Sequence, residues 1–255
     1  MVEAFAVASG KGGTGKTTST LALGMALADS HDVTVVDADT GMANLLFHAG
    51  LSGADTTLHD VLAGGAPVKA ATYERFGMRV VPCGTSLAGF READPDRLRA
   101  AVADLAADAD VLLLDSPAAL GSKSAVLPVV LADRIVVILQ PTIPSLSNGL
   151  KVQEYARSYG TGTAGVLFNR VREPGTVERV ADQVERRFDG PALAAVPESD
   201  AAPAARRAGE PLLAHAPDSA AAAAYREAAA ALDVRAGDPG TVAERFRSAV
   251  IPDAP

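Results

Sequence analysis

The sequence predicts an α/β fold in which helices flank a doubly wound, mostly parallel sheet. Short apolar segments alternate with helical patterns along the chain, which is typical of parallel strands joined by helices. Most of these apolar segments are continuous runs of Val, Ile, Leu and Ala without alternating polar residues. Strands that are covered by helices on both faces have this composition. We therefore expect a sheet with two buried faces.

The predicted elements follow one another with short connections. The predicted strands are residues 4–8, 33–37, 79–82, 111–115, 135–139, 164–168 and 192–196. The predicted helices are residues 17–28, 95–107, 145–159, 177–188 and 219–232. Asp94 before Pro95 is a capping residue followed by proline, and Asp218 is a candidate cap for the Ala-rich last helix. The Ala-rich segment is therefore interpreted as a helix rather than as low-complexity disorder.

The length of 255 residues fits one α/β domain over residues 1–235, followed by a C-terminal tail of residues 236–255. Hydrophobic residues make up 48% of the chain and aromatic residues 4%, so the core depends on aliphatic side chains. The tail looks detached because Gly237, Asp238, Pro239 and Gly240 follow the last predicted helix.

Charge and cysteine content exclude several classes of function. The net charge of −8 disfavours non-specific DNA binding, which depends on Lys and Arg neutralising phosphates. Cys83 is the only cysteine, so one chain forms neither a disulfide nor a thiolate metal cluster. The apolar start, residues 5–8, leads directly into a glycine-rich loop, which indicates a buried strand rather than a signal peptide. No apolar stretch reaches 18 residues, so we expect a cytoplasmic protein, with peripheral binding at the membrane or the cell poles as an extension.

A glycine-rich loop links the first predicted strand to the first predicted helix. Gly10, Gly15, Lys16 and Thr17 satisfy the phosphate-loop pattern G-x-x-x-x-G-K-[ST] in the context that the motif requires. Backbone N–H groups of such a loop bind phosphate, and glycine permits both the turn and the close approach. Lys16 is expected to bridge the β- and γ-phosphates of ATP, and the Thr17 hydroxyl to ligate Mg²⁺. The residues predicted to contact the nucleotide here are Gly10, Lys11, Gly12, Gly13, Thr14, Gly15, Lys16, Thr17 and Thr18.

A second lysine, Lys11, lies inside the variable part of this loop. A cation at this position faces the outer side of the loop, where it can reach phosphates that are bound by an opposing subunit. It would then stabilise the charge of the transferred group from across an interface, as an arginine finger does. The alternative is that Lys11 is a solvated loop residue. The first interpretation predicts an ATP-dependent homodimer.

Three aspartates follow predicted strands. Asp37 and Asp39 close the second strand at positions i and i+2, and Asp115 ends the strand 111–115. Ligands of open α/β sheets bind at the carboxyl ends of the strands, and carboxylates delivered there hold Mg²⁺ through water. For Asp37 and Asp39 the alternative is a helix cap or a turn.

Together these segments resemble the MinD/ParA family of P-loop ATPases with a deviant Walker A motif. Residues 9–18, 35–44 and 115–118 are similar to the deviant Walker A, switch I and switch II of MinD-type proteins. Residues 166–170 resemble the strand whose Asn contacts adenine. Residues 196–200, followed by 209–212, resemble the segment that closes the nucleotide pocket. Residues 119–123 depart from the bacterial MinD pattern.

The resemblance implies a role for each matching residue. Lys11 would act across the dimer, and Asp39 would position the attacking water. Thr17 would bind Mg²⁺ directly, with Asp37 and Asp115 close to it.

For the base, the resemblance implies that Asn169 contacts adenine and that Pro197 and Glu198 help to close the pocket. Asn44 would order switch I.

The implied function is an ATP-hydrolysing dimerisation switch that positions a cell-division, motility or chemosensory assembly, with an unidentified protein partner or activator. Slow turnover would act as a timer. The alternative is a ParA-type ATPase for DNA partition, with Arg206 and Arg207 as the densest late basic pair. A metallocluster carrier or an amide-forming ligase on the same fold is disfavoured by the single cysteine and by the length.

The tail contains an amphipathic pattern over residues 241–251. Val242, Phe246, Ala249 and Val250 share one helical face, but the segment has no lysine and one aromatic residue. Membrane insertion needs a larger apolar face or a polybasic segment, so membrane binding is only weakly supported. The alternative is a helix packed on its own domain or on a partner.

Overall fold

The computed structural model describes residues 2–118, 123–173, 175, 177, 184, 186–235 and 237–249. Within these residues the strands are β1 Glu3–Ala8, β2 Val33–Asp37, β3 Tyr73–Arg75, β4 Met78–Val81, β5 Val111–Asp115, β6 Arg134–Leu139, β7 Gly162–Val171 and β8 Ala192–Pro197. They form one sheet in the order β3-β4-β2-β5-β1-β6-β7-β8. All neighbours are parallel except β3, which is antiparallel to β4. The predicted doubly wound, mostly parallel sheet is confirmed.

Helices connect the strands and cover the sheet. The described α-helices are α1 Lys16–Leu27, α2 Leu45–His48, α3 Leu58–Leu62, α4 Leu87–Glu92, α5 Leu98–Leu105, α6 Lys123–Leu131, α7 Ile143–Ser158, α8 Ala201–Ala208, α9 Leu212–His215, α10 Ala220–Ala231 and α11 Pro239–Ser248. Short 3₁₀ segments cover Val68–Ala71, Pro95–Arg97 and Ala106–Asp108. The predicted helix 95–107 is therefore an α-helix with a 3₁₀ turn at each end. Most of the predicted helix 177–188 lies outside the described residues.

Both faces of the sheet are buried, as their composition predicts. Val35 and Leu113 point into the cluster that contains α1 and α10, whereas Val36 and Leu112 point into the cluster on the opposite face. Side chains of successive strand residues alternate between faces, so a strand between two helical layers needs apolar residues at every position.

The two helical segments with predicted caps both begin at a capping side chain, but in one of them the capping residue differs from the predicted one. Asp94 caps the turn at Pro95 by accepting from the Asp96 N–H at 3.0 Å. The Ala-rich helix α10 is capped by Ser219, whose hydroxyl accepts from the Ala222 N–H at 3.2 Å. Asp218 was the wrong residue because the helix begins at Ala220, which puts Ser219 at the capping position.

The tail is not detached over residues 237–249, contrary to the expectation from its Gly and Pro content. Asp238 caps α11. Val242 and Phe246 are buried in the same apolar cluster as α5, with Phe246 completely inaccessible to solvent. The described part of the apolar face, Val242, Phe246 and Ala249, is thus covered by its own domain, which is the alternative that the sequence left open. Val250 and Ile251 of the predicted amphipathic pattern lie outside the described residues. None of the helices in the described part of the chain has the length and apolarity needed to cross a bilayer.

Candidate nucleotide-binding site

The phosphate loop lies between β1 and α1, at the carboxyl edge of the sheet. Gly10, Gly13 and Gly15 have φ values of 40°, 78° and 94°, in the region that favours glycine. A Cβ on Gly15 would lie 2.3 Å from Nδ2 of Asn169. The buried hydroxyl of Thr14 has no hydrogen-bond partner in the described part of the chain. The loop therefore has the tight backbone and the unused polar group that an anion site requires.

The two lysines of this loop have different surroundings. Lys16 begins α1 and is only 9% exposed, whereas Lys11 is exposed. The turn below Lys11 is closed by the Ser9 hydroxyl, which donates to the Lys11 carbonyl at 2.8 Å. One lysine thus belongs to the interior of the site and the other to its outer surface.

Two buried carboxylates lie beside the loop. β2 and β5 are adjacent and parallel, and Asp37 pairs in register with Asp115. The Thr17 hydroxyl donates to Oδ2 of Asp115 at 2.6 Å, and the Thr20 hydroxyl lies 3.1 Å from Oδ1. The structure thus brings together Thr17, Asp37 and Asp115, the three residues predicted to serve the metal.

Burial makes both carboxylates costly to ionise. Burial raises the pKa of Asp37 well above its usual range, and the neighbouring charge of Asp115 raises it further. Burial also raises the pKa of Asp115 to about 6, although the Lys16 ammonium and the bonds from Thr17 and Thr20 oppose this increase. A divalent cation would relieve the repulsion between the two carboxylates.

The donor set fits Mg²⁺ that arrives with a nucleotide. A hydroxyl and carboxylate oxygens are ligands that Mg²⁺ prefers, and this ion is commonly held by one or two carboxylates plus phosphate oxygens and water. No group of three or more His, Cys, Asp or Glu residues suitable for a metal occurs among the described residues. The protein side chains alone therefore do not form a complete metal cage there.

Asp39 lies at the start of a turn that follows β2. Its N–H donates to Oδ1 of Asp37 at 3.3 Å, and its own Oδ1 accepts from the Met42 N–H at 3.0 Å. Asn44 donates to the Met42 carbonyl at 3.1 Å, and the Leu45 N–H donates to Oδ2 of Asp37 at 3.2 Å. The segment from Asp37 to Leu45 is thus folded around the two aspartates.

A cavity of about 230 Å³ opens beside the loop and has the predicted adenine residues in its wall. Gly15, Thr18, Asn169, Pro197 and Glu198 all line it. This places the predicted base pocket directly against the phosphate loop.

The carboxamide of Asn169 is fixed on both sides. Its Nδ2 donates to the Thr14 carbonyl at 2.8 Å, and its Oδ1 accepts from the Arg170 N–H at 2.9 Å. The second bond depends on Arg170, which has a positive φ of 56°, a strained value for a residue with a side chain.

The structure adds residues that the sequence analysis did not assign to the site. Arg170, Arg206 and Tyr225 line the same cavity, and Thr20 contacts Asp115. Of these, only Thr20 had a usable local signal, because it lies one helical turn after Lys16 and so shares its face. Residues 119–122 of the segment that departs from the MinD pattern lie outside the described residues.

Comparison with known proteins identifies the family. A model of the CobQ/CobB/MinD/ParA nucleotide binding domain matches residues 5–212, which include the phosphate loop and all three aspartates. The chain belongs to this family. The predicted resemblance to the MinD/ParA ATPases is confirmed.

Individual members of the MinD/ParA family match most of the chain. An uncharacterised ATP-binding protein of Methanocaldococcus jannaschii is 41% identical over 200 residues, which cover 78% of this chain and 75% of the relative. The septum site-determining protein MinD of Thermotoga maritima is 30% identical over 213 residues, which cover 78% and 77%.

Solved structures of MinD have the same fold. The cell division ATPase MinD of Pyrococcus furiosus superimposes with a TM-score of 0.83 at 33% identity, covering 91% of this chain and 98% of that protein. MinD of Pyrococcus horikoshii in complex with Mg-ADP gives a TM-score of 0.81 at 32% identity, covering 90% and 95%. Together these matches show a MinD/ParA-family ATPase.

Proposed function

We propose that this protein is a Mg²⁺-dependent, ATP-hydrolysing dimerisation switch of the MinD type. The observation that carries the proposal is the difference between the two lysines of the phosphate loop. Lys16 is buried beside Asp115, as expected of a residue that serves its own nucleotide, whereas Lys11 is exposed and available to a second copy. In a switch whose site is complete only in the dimer, each site needs a buried lysine from its own subunit and an exposed lysine from the other.

The site residues would divide the chemistry between phosphate, metal and water. The loop N–H groups and Lys16 would hold the phosphates, and Thr17 would ligate Mg²⁺ beside Asp37 and Asp115. When bound, Mg²⁺ neutralises charge on the phosphate oxygens. Asp39 would orient the attacking water, and the pocket at Asn169 would hold adenine. The complex of a MinD relative with Mg-ADP supports this assignment of cofactors.

The turn after β2 would couple ATP hydrolysis to a change in conformation. The Asp39 carboxylate bonds the Met42 N–H at 3.0 Å in the structure. In the proposed switch, the carboxylate would exchange this bond for one to a water beside the γ-phosphate, which would free the Met42 end of the turn. Loss of the γ-phosphate would restore it. We therefore expect slow turnover, with the bound nucleotide holding one state of the switch.

We propose that the dimer positions a cell-division or motility assembly in the cytoplasm. The relatives named for septum site determination and cell division support the first role. Because the apolar face of α11 is buried, recruitment to a membrane or pole would depend on a protein partner rather than on this helix.

Complementation between variants tests the shared site. We expect Lys11→Ala and Asp39→Ala to be nearly inactive in ATP hydrolysis when each is assayed alone. In a mixed dimer, the Asp39→Ala subunit would supply Lys11 to a subunit whose Asp39 is intact. One of the two sites would then be complete, so the mixture should regain turnover.

Size-exclusion chromatography with light scattering gives the matching measurement of mass. With ATP and Mg²⁺ we expect a stable dimer for Asp39→Ala, a transient dimer for the wild type, and only monomer for Lys16→Ala. Monomers in every sample, together with no recovery of turnover on mixing, would exclude the dimeric switch.

A further inference from the structure

A buried histidine lies directly against the turn that contains Asp39. His59 belongs to α3 and is 4% exposed. Its Nε2 lies 2.9 Å from the carbonyl oxygen of Thr40, the residue after Asp39. The contact joins two segments that are 19 residues apart in the chain. None of the roles described above uses this histidine.

The surroundings of His59 leave room for an imidazole. A Cβ on Gly84 would lie 2.9 Å from Nδ1, and a Cβ on Gly89 would lie 3.0 Å from the same atom. Real Cβ atoms rarely come this close to a neighbour, so both positions favour glycine while the ring is present. Phe90 packs beside the ring, with 6.4 Å between the ring centroids.

The hydrogen bond to Thr40 determines that Nε2 of the His59 ring carries a hydrogen. A carbonyl oxygen only accepts, so Nε2 of His59 carries the hydrogen and donates to Thr40. Nδ1 is buried and has no hydrogen-bond partner in the described part of the chain. Leaving a buried polar atom without a partner is unfavourable, and an aliphatic side chain would avoid this cost. The bond to Thr40 is therefore the feature that distinguishes histidine from an apolar residue here.

Two of the bonds that hold the turn involve Asp39 and its neighbour Thr40. The Asp39 carboxylate bonds the Met42 N–H, and His59 bonds the Thr40 carbonyl between them. The first bond engages Oδ1 of the Asp39 carboxylate, whereas the second does not involve the carboxylate at all. His59 can therefore hold the backbone of Thr40 in place while the Asp39 side chain moves.

We propose that His59 is a positioning residue for ATP hydrolysis, which fixes the switch I backbone so that Asp39 can orient the attacking water. The proposal rests on the proposed function, because it assumes the role of Asp39. His59 is not among the residues that line the cavity at Asn169 and Pro197. Its loss should therefore change kcat and leave nucleotide affinity almost unaltered.

The test compares two substitutions of His59 in the full chain with ATP and Mg²⁺. His59→Leu fills the space but cannot donate, and we expect kcat to fall about tenfold or more with KM for ATP within about twofold. His59→Gln retains an N–H donor at a similar distance from the backbone, and should recover most of the lost turnover. Dissociation constants for a fluorescent ATP analogue should agree among the three proteins.

Val61→Ala is the matched control for stability. Val61 lies in the same helix and is buried in the apolar cluster below it, so its truncation destabilises α3 without touching Thr40. Melting temperatures of all variants are measured with the kinetics. We expect Val61→Ala to melt earlier yet to keep the wild-type kcat well below its melting temperature.

Different outcomes separate this proposal from the one on which it rests. If the wild type hydrolyses ATP and His59→Leu does so at the same kcat, the positioning role is wrong and the switch stands. A loss of kcat that His59→Gln does not recover and that Val61→Ala reproduces would mean a merely structural role. No turnover by the wild type would contradict the proposed function itself.

Discussion

The two edges of the sheet bury polar groups in opposite ways. At the carboxyl edge, the buried carboxyls of Asp37 and Asp115 lie on paired residues of β2 and β5, and the Thr14 hydroxyl has no partner among the described residues. At the amino edge, the buried charges of Glu3 and Arg134 are paired at 2.7 Å. Asp37, Asp115, Glu3 and Arg134 are all less than 10% exposed, so burial alone does not account for the difference.

The amino edge is closed by a network that includes the tail. The guanidinium of Arg134 lies 5.2 Å from the centre of the Phe5 ring and also donates to the Asp233 carbonyl. Asp133 accepts from the Ala4 N–H at 2.8 Å and pairs with Arg245 of α11. Each buried charge there has a partner within the protein.

This difference indicates which edge is meant for a ligand. Burying two carboxyls side by side is unfavourable, and such an arrangement is typical of a functional site. At the carboxyl edge, a nucleotide with its metal would compensate for this cost by supplying positive charge and hydrogen-bond partners. The amino edge needs nothing further. Substitutions at the amino edge should therefore change stability, and those at the carboxyl edge should change ligand response.

The largest expected effect is at Arg134. Replacing Arg134 with Met leaves Glu3 buried without its partner, which costs about 3–5 kcal/mol of the free energy of unfolding. Urea unfolding of the ligand-free protein measures the loss. The turnover number per folded molecule should stay unchanged, because Arg134 is at the edge opposite the phosphate loop.

The double substitution Glu3→Leu with Arg134→Met is the control. It removes both charges, and we expect it to regain most of the lost stability. A double variant as unstable as Arg134→Met alone would show that packing of the Arg134 side chain, rather than the unpaired carboxylate, causes the loss.

The next effect concerns the tail helix α11. Phe246→Ala removes a fully buried ring, so we expect a loss of about 3 kcal/mol in the free energy of unfolding. A helix that served a membrane would keep Phe246 available for lipid, and its truncation would leave stability unchanged. Urea unfolding combined with liposome co-sedimentation in ATP separates the two, and we expect no lipid binding by the wild type in the absence of a partner.

The sequence predicts those strands and helices whose pattern is unambiguous within one short segment of the chain. β2 and β5 have the predicted bounds, since each is a short, mostly aliphatic run that ends in Asp. The helix Lys123–Leu131 was not predicted, because it is apolar on every side and contains Pro128, so its pattern does not distinguish helix from strand.

The same reasoning applies to the site. Thr17 and Asp115 were predicted to lie together because both follow from motifs at strand ends. His59, Arg170 and Arg206 come from segments that meet only in the folded chain, and no periodicity or spacing connects them to the phosphate loop.

A smaller change in the free energy of unfolding is expected at Asp37, and this change depends on pH. The folded-state pKa values of Asp37 and Asp115 are raised above the usual value of 3.8. Well below pH 3.8 both carboxyls are protonated in the folded and in the unfolded chain, and as pH rises the unfolded chain releases its protons first. The free energy of unfolding of the ligand-free protein should therefore fall from pH 4 through pH 6, the region in which Asp115 titrates.

Asp37→Asn tests this origin of the pH dependence. It removes one charge of the pair, so the ligand-free variant should gain about 1 kcal/mol at pH 8 and show a flatter pH profile. Stabilisation by ATP with Mg²⁺ should be lost in the same variant. Asp29→Asn, which changes an exposed aspartate after α1, is the control and should match the wild type.

The smallest expected effect is a change in ATP affinity, and it should differ between two adjacent arginines at the end of α8. Arg206 lines the cavity beside Asn169, whereas Arg207 does not contribute to its wall. Arg206→Ala should weaken ATP binding by about threefold, since the contribution of an exposed charge is small. Arg207→Ala should leave it unchanged, as measured by fluorescence titration.

A change in DNA mobility shift on replacing Arg206 would therefore be ambiguous, because the nucleotide site is altered as well. Arg207→Ala alone tests DNA binding, and a nucleotide-dependent shift that this variant abolishes would favour a partition ATPase over the positioning switch.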